Sequence, residues 1–446
     1  MSVHRRLHFE EGVDLELAGT IISEDTIKPS PGLAGVCDLP GDAQISIIAL
    51  ALASTADGVS RVRRCSRSRD VKRAGELLSK VGIGVAWDGE TATVTGGPFR
   101  ATCDVLDVDG SLILFSCLTG LLSSASFVTR LSGVHTNTGV DRVSEALRSL
   151  GAHVKLSVGN GISACVGRSR LTSGTFHAGR PDPAVKCGVL LAGLGVDGPV
   201  ELLQDAGGDD DLEVLLRAAG CDLKKRRITG AGGCQLLLDG PVRPRAVTHE
   251  LPGSPDAGLF LALAAAMRKQ SDLTLSHFGM DLKSRRIVDI LRRMNVAMDV
   301  EHTRTDSGFP ARNVRIRGSD LRGIRIAGAN ARLLGDLLPL MAVAGAVSRG
   351  ETIIRDAEAL RKGPVDCISV LVENLRKMHI QVGEMPDGLI VKGGRPQGAE
   401  LDAAGDARVS MALRLAALAG EGDTVVRNPG PADQGLMDRL ASVQKA

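Results

Sequence analysis

Aromatic residues are almost missing from this chain: they make up 2% of its 446 residues, with no tyrosine, one tryptophan (Trp87) and eight phenylalanines. A surface that holds nucleic acid by stacking bases on rings is therefore not expected, and the cores must be packed with Leu, Val, Ile and Ala. An excess of charge is lacking too. The 54 basic residues face 52 acidic ones, for a net of +2, which gives no overall pull toward nucleic acid or membrane. No C-x-x-C pair occurs among the nine scattered cysteines, Cys37, Cys65, Cys103, Cys117, Cys165, Cys187, Cys221, Cys234 and Cys367. That spacing argues against a metal site and a disulfide framework alike; it suits small core residues in a reducing cytoplasm. There is no uninterrupted apolar run of about 18 residues, and MSVHRRLHFEEGVDLELAG has no apolar signal core, so a cytoplasmic protein without membrane contact is expected. The 54 glycines build neither a phosphate loop of the G-x-x-x-x-G-K-[ST] type nor a strand-linked dinucleotide fingerprint. No cofactor is implied.

What the chain does have is repetition, six times at intervals of roughly 70 residues. Each unit opens in a turn, runs into a helix of small apolar residues, and continues as a strand, an amphipathic helix and a closing strand pair. Pro40-Gly41-Asp42-Ala43 leads into ALALAS as Pro252-Gly253-Ser254-Pro255 leads into LFLALAAAMRK. Other units open near Asp109-Gly110-Ser111, Asp182-Pro183, Gly335-Asp336 and Gly405-Asp406. The first helix of a unit, such as Ile45 to Ala53 or Val185 to Leu194, is apolar on all sides and must be buried on all sides. The second carries Val143, Leu147 and Leu150 at helical spacing, with Glu145 and Arg148 facing away, and belongs outside. It ends at Gly151 or Asn295, the left-handed cap that turns the chain back into a strand. Helices inside and sheets outside make an inverted α/β barrel. Three units per domain give 39–250 as the first domain and 1–38 plus 251–446 as the second, hinged at two crossings, with an interdomain cleft for a small-molecule substrate.

Six such units, with LPGDAQISIIALALASTADG at the first turn, VKCGVLLAGL, LPGSPDAGLFLALAAA, RDAEALR and GDARVSMALRLAALAG, resemble the enolpyruvyl transferases over the whole chain. The likeness is greatest to the 5-enolpyruvylshikimate-3-phosphate synthases. It implies the two-domain inverted α/β barrel and favours a monomer. In that family the first turn reads L-P-G-D/S-K-S-x-S-x-R, whose cations hold phosphoenolpyruvate and the shikimate phosphate. Here the Lys position is Ala43, the Ser is Gln44 and the Arg is Ile48. Ser116 stands where the second unit has an Arg, GVHTNTGVDRV where the family has an Arg-rich loop, and Asp182-Pro183-Ala184 in place of S-A-Q. The S-R-D-H stretch becomes Gly208-Asp209-Asp210-Asp211, and K-E-S/T-D-R becomes Gly363-Pro364-Val365-Asp366-Cys367. Two positions match: Asp336 the catalytic acid-base Asp, and Arg408 the last phosphoenolpyruvate-binding Arg.

The candidate site residues follow. Asp336 acts as general acid or base if burial lifts its pKa, or else caps the helix LLPLMAVAGA. Arg408 binds a substrate carboxylate in two-pronged fashion, or pairs with Asp406 or Asp366. Lys186, on an apolar inner helix, needs a partner. Asp209 and Asp211 form a site for a cation or amine, or open a helix whose dipole favours acids. His135 is an acid-base group or an exposed loop residue, and Asp42, Gln44, Asp366 and Asp406 line the substrate site. The stretch Arg61, Arg63, Arg64, Arg67, Arg69, Lys72 and Arg73 is a solvated face or an anionic contact. The scaffold with a rewritten cleft points to a diverged transferase on a shikimate-like or other polar ring, for which ordinary phosphoenolpyruvate transfer is not expected. A pseudoenzyme that binds without reacting is the alternative, and a true carboxyvinyltransferase with a rebuilt site a further one. RNA binding through the basic stretch, by analogy with RNA 3'-phosphate cyclases, is the weakest.

Overall fold

The computed structural model describes residues 24–134, 137–159, 161–205, 211–228, 232–303, 308–431 and 434–444. Among them the helices, in chain order, are α1 (Ala43–Ala53), α2 (Arg69–Lys80), α3 (Leu112–Leu122), α4 (Asn137–Ser149), α5 (Pro183–Gly193), α6 (Asp211–Ala218), α7 (Pro255–Ala266), α8 (Leu282–Arg293), α9 (Ala329–Leu334), α10 (Leu338–Ala346), α11 (Cys367–Lys377), α12 (Ala407–Ala419) and α13 (Gln434–Val443). The strands form six sheets, five of four strands and one of three. That is one sheet per repeat.

The second repeat shows the plan. Strand Val105–Asp107 leads into α3, Val128–Val134 into α4, and the hairpin Val154–Gly159 and Gly161–Gly167 closes the unit. The first two strands pair in parallel across the inner helix, as a crossover requires, and the hairpin adds antiparallel to the second. The first and fourth repeats exchange their opening strands. Ala34–Asp38, which feeds α1, pairs with Asp272–Gly279 of the fourth repeat; Thr248–Glu250, which feeds α7, pairs with Val59–Arg63 of the first. The sixth sheet is completed by Glu24–Ile27, antiparallel to Thr424–Arg427.

Burial follows the sequence pattern. From Ile45 onward α1 is buried throughout, and so is α7 apart from Asp256. On α4, Val143 and Leu147 are buried while Glu145 and Arg148 are exposed. Gly151 and Asn295 take φ of 83° and 65°, the left-handed geometry of the expected caps. Seven cysteines are buried, but Cys103 is exposed and Cys165 half-buried, which corrects the reading of all nine as core residues. No helix among the described residues is long and apolar enough to cross a membrane.

The described chain divides into two compact units, residues 31–320 with 434–444, and residues 24–30 with 321–431. This grouping differs from a boundary at Glu250: it places the fourth repeat with the first three. The strand exchange accounts for that, together with Arg64, whose guanidinium donates to Leu39 O at 2.8 Å and Leu251 O at 3.1 Å and pairs with Asp38 at 2.6 Å. Backbone bonds run both ways between the two matching turns: Asp42 N–H to Pro252 O at 3.1 Å and Ser254 N–H to Pro40 O at 2.8 Å.

Candidate active site

In the larger unit the inner helices α1, α3 and α5 lie side by side. The Ser116 hydroxyl of α3 donates to Ala184 O of α5, and a Cβ placed on Gly120 would stand 2.5 Å from Gly188 O. Their N-termini expose backbone N–H groups that invite an anion. At two of the three, the chain supplies its own. Asp42 accepts from Ile45 N–H at 2.8 Å. Asp182 accepts from Ala184 and Val185 N–H at 3.0 and 3.3 Å and pairs with Arg142 at 2.8 Å. Ser111 caps the third. Burial pushes the Asp42 carboxyl up to about 6, with the neighbouring charges of Asp256 and Asp281 adding to the shift against the Ile45 N–H and Lys283. Gln44 is the second residue of α1 and half-buried; Ile48 is buried in the core.

Lys186 finds its partner in Glu213 of α6, at 3.0 Å, with both side chains almost wholly buried. Lys225 stands 3.9 Å from the same carboxylate. Asp211 is the first residue of α6, where its charge complements the dipole. His135 and Asp209 lie outside the described residues.

The smaller unit holds the acid cluster. Asp406 caps α12, accepting from the Arg408 and Val409 N–H groups at 2.8 and 3.2 Å. The Arg408 side chain turns back to Asp406 at 2.6 Å and reaches Asp336 at 3.0 Å. Burial would raise the Asp406 carboxyl, but the Arg408 guanidinium and the Val409 N–H more than reverse it and hold it below the usual range. Asp336 is not a helix cap: it lies in a 3-10 turn, Gly335–Leu337, and α10 starts from Leu337 without a capping side chain. Nor is it buried. Its side chain is 73% exposed, so this unit alone does not supply the desolvation expected of it. Asp366 does not meet Arg408; it caps α11 through the Ile368 and Ser369 N–H groups, both at 3.1 Å, and pairs with Arg361 at 2.6 Å.

Arg361 is not among the expected site residues, and Cys367 is expected only as a core cysteine and as a replacement for the family's Arg. Arg361 joins Asp366 to Glu384, at 2.9 Å, a partner 23 positions on that no local pattern marks. Cys367 donates to Asp406 at 3.4 Å, and its thiol is pushed up to about 12, chiefly by burial, which favours the neutral thiol over the thiolate.

These helix-terminal carboxylates and the paired arginine are set on a six-repeat scaffold that known proteins share. A model of the EPSP synthase family, 3-phosphoshikimate 1-carboxyvinyltransferase, matches residues 27–438. The chain belongs to the EPSP synthase family. The 3-phosphoshikimate 1-carboxyvinyltransferase of Geotalea uraniireducens is 32% identical over 414 residues, 90% of this chain and 94% of that one. Its counterpart from Synechococcus sp. is 30% identical over 433 residues, 94% and 96% of the two. Among solved structures, the EPSP synthase of Acinetobacter baumannii agrees with a TM-score of 0.78 at 24% identity, over 94% of this chain and 96% of that one. The enolpyruvyl transferase NikO from Streptomyces tendae agrees at 0.71 and 22%, with the same coverage. These two likenesses carry the fold.

Against this EPSP synthase frame, four of the seven cations in the basic stretch of the first repeat are engaged in ion pairs. Arg64 pairs with Asp38, Arg67 with Asp438, Arg69 with Asp109, and Arg73 with Glu76 and Asp107. Arg64 is buried, so the stretch is not one solvated face; that reading fits the exposed Arg67 and Arg69.

Proposed function

We propose that this family member acts on a shikimate-like or other polar ring compound carrying less negative charge than shikimate 3-phosphate with phosphoenolpyruvate, and does not perform the ordinary carboxyvinyl transfer to shikimate 3-phosphate. Asp336 is the acid-base group and Arg408 the group that orients a substrate carboxylate. One observation carries this reading: where the resemblance places the first-turn Lys and Arg and the second-unit Arg, this chain presents Ala43, Ile48 and Ser116, and α5 opens on the Asp182 carboxylate where the family has a Ser.

Magnitude supports it. Charge-assisted hydrogen bonds contribute about 1.5 to 3 kcal/mol each, and about seven cationic positions are lost, so the deficit is roughly 10 kcal/mol even after heavy discounting for non-additivity. An incoming phosphate would also meet Asp182, a like charge that raises its cost further. A single carboxylate is another matter. It can take the Arg408 Nη1 now held by the exposed Asp336, and in doing so release that aspartate to move a proton.

The assay is phosphate release from shikimate 3-phosphate plus phosphoenolpyruvate. The expected rate is indistinguishable from that of an Asp336→Ala variant; robust turnover that Asp336→Ala abolishes overturns the reading and restores the true carboxyvinyltransferase with a rebuilt site.

A further inference from the structure

At the end of the larger unit away from the capped N-termini, α1, α3 and α5 converge on a cavity of about 610 Å³. Thr55, Ser124 and Gly195, each one residue beyond its helix's C-cap, line it. So do Phe99, Phe127, Leu121 and Leu191. Leu121 and Leu194 are the least buried of the core leucines on and next to these helices, at 7% each, because they face this space. Asp57 and Arg243 stand at its rim, paired at 3.3 Å and both well exposed.

Charge decides what fits. A helix C-terminus carries partial negative charge that a basic residue in the last turn normally offsets. The outer helices α2, α4 and α6 have one each, Lys80, Arg148 and Arg217. None of the three inner helices does. Three helix ends without a basic last-turn side chain therefore meet at one cavity. Among the described residues, their Ser54, Ser123 and Leu194 carbonyls accept only from the backbone N–H groups of Gly97, Ser169 and Val242, with the Asp57 carboxylate and its partner Arg243 at the rim and two phenylalanine rings in the wall.

We propose that this cavity is a second ligand site, for a small molecule with an apolar body and one ammonium group. The body lies against the phenylalanines and leucines. The ammonium sits at the helix ends and takes Asp57 from Arg243, an exposed pair that is readily exchanged. The site is independent of the reaction proposed above.

The test is calorimetric titration of the full chain with 2-phenylethylamine, its neutral isostere 2-phenylethanol and its anionic counterpart 3-phenylpropanoate. One saturable site is expected for the amine, about tenfold tighter than for the alcohol, with no binding of the acid. Asp57→Asn should weaken the amine several-fold and Arg243→Ala should tighten it, since that change frees the carboxylate. Ser126→Trp, an exposed rim position, should block binding without touching the core. The proposal is overturned if the amine does not bind, if the acid binds as well, or if Ser126→Trp and Asp57→Asn leave amine affinity unchanged.

Discussion

Glu213 is the residue on which the third repeat most depends. Its carboxylate is buried with Lys186 at 3.0 Å, and two charges withdrawn from water are tolerable only as a pair. Glu213→Gln should therefore cost about 3 to 5 kcal/mol in urea unfolding, whereas a loss below 1 kcal/mol would mean that Lys186 had another sufficient partner. His249 and Asp42 give the pH dependence, with opposite signs. Burial lowers His249 from 6.5 to about 4, so the unfolded chain binds the proton more readily. Stability is whole above 6.5 and is lost as the pH falls from there through about 4, by about 3 kcal/mol at most. Asp42 is raised from 3.8 to about 6; its contribution is whole below 3.8 and is lost as the pH rises through about 6. Thermal melts across pH 4 to 8 should show His249→Leu flattening the acid limb. Asp42→Asn, which keeps the cap, should gain stability above pH 6 and none below pH 4. Unchanged curves in both variants would contradict these environments.

At the scale of elements, the packing of α3 on α5 rests on absent side chains. A methyl group on Gly120 would meet the Gly188 carbonyl at 2.5 Å, a backbone atom that cannot swing aside. Gly120→Ala should cost about 1 to 3 kcal/mol, measured by chemical denaturation, and a neutral effect would mean the two helices can part cheaply. The helices themselves were legible in the sequence. All-round apolar runs marked α1, α3, α5 and α7, and left-handed caps at Gly151 and Asn295 marked where outer helices end. Of the two readings of Asp336, the cap fails although Asp before an apolar run is the usual capping signal, because the chain inserts a 3-10 turn first and leaves the carboxylate exposed to Arg408. Arg361 was missed because its two acidic partners come from separate elements, brought together only by the fold.

For the molecule as a whole, period and composition disclosed six repeats in an inverted barrel, since each repeat obeys the same local rules. The exchange of opening strands between the first and fourth repeats was not legible. Ala34–Asp38 and Thr248–Glu250 are short strands whose sequences fit either sheet, and only the long-range pairing with Asp272–Gly279 and Val59–Arg63 assigns them. The site was legible mainly by subtraction: the cations of the family motif could be seen to be missing and Asp182 to stand for a Ser, but that Asp182 caps α5 and pairs with Arg142 needed the structure. Isothermal titration of shikimate 3-phosphate into the full chain tests that replacement most directly. No saturable binding up to about millimolar concentration is predicted for the wild type, with measurable binding appearing when Asp182 is changed to Ser, which keeps the cap and removes the charge, and Ala43 and Ile48 are changed to Lys and Arg. Micromolar binding to the unmodified protein would contradict the account.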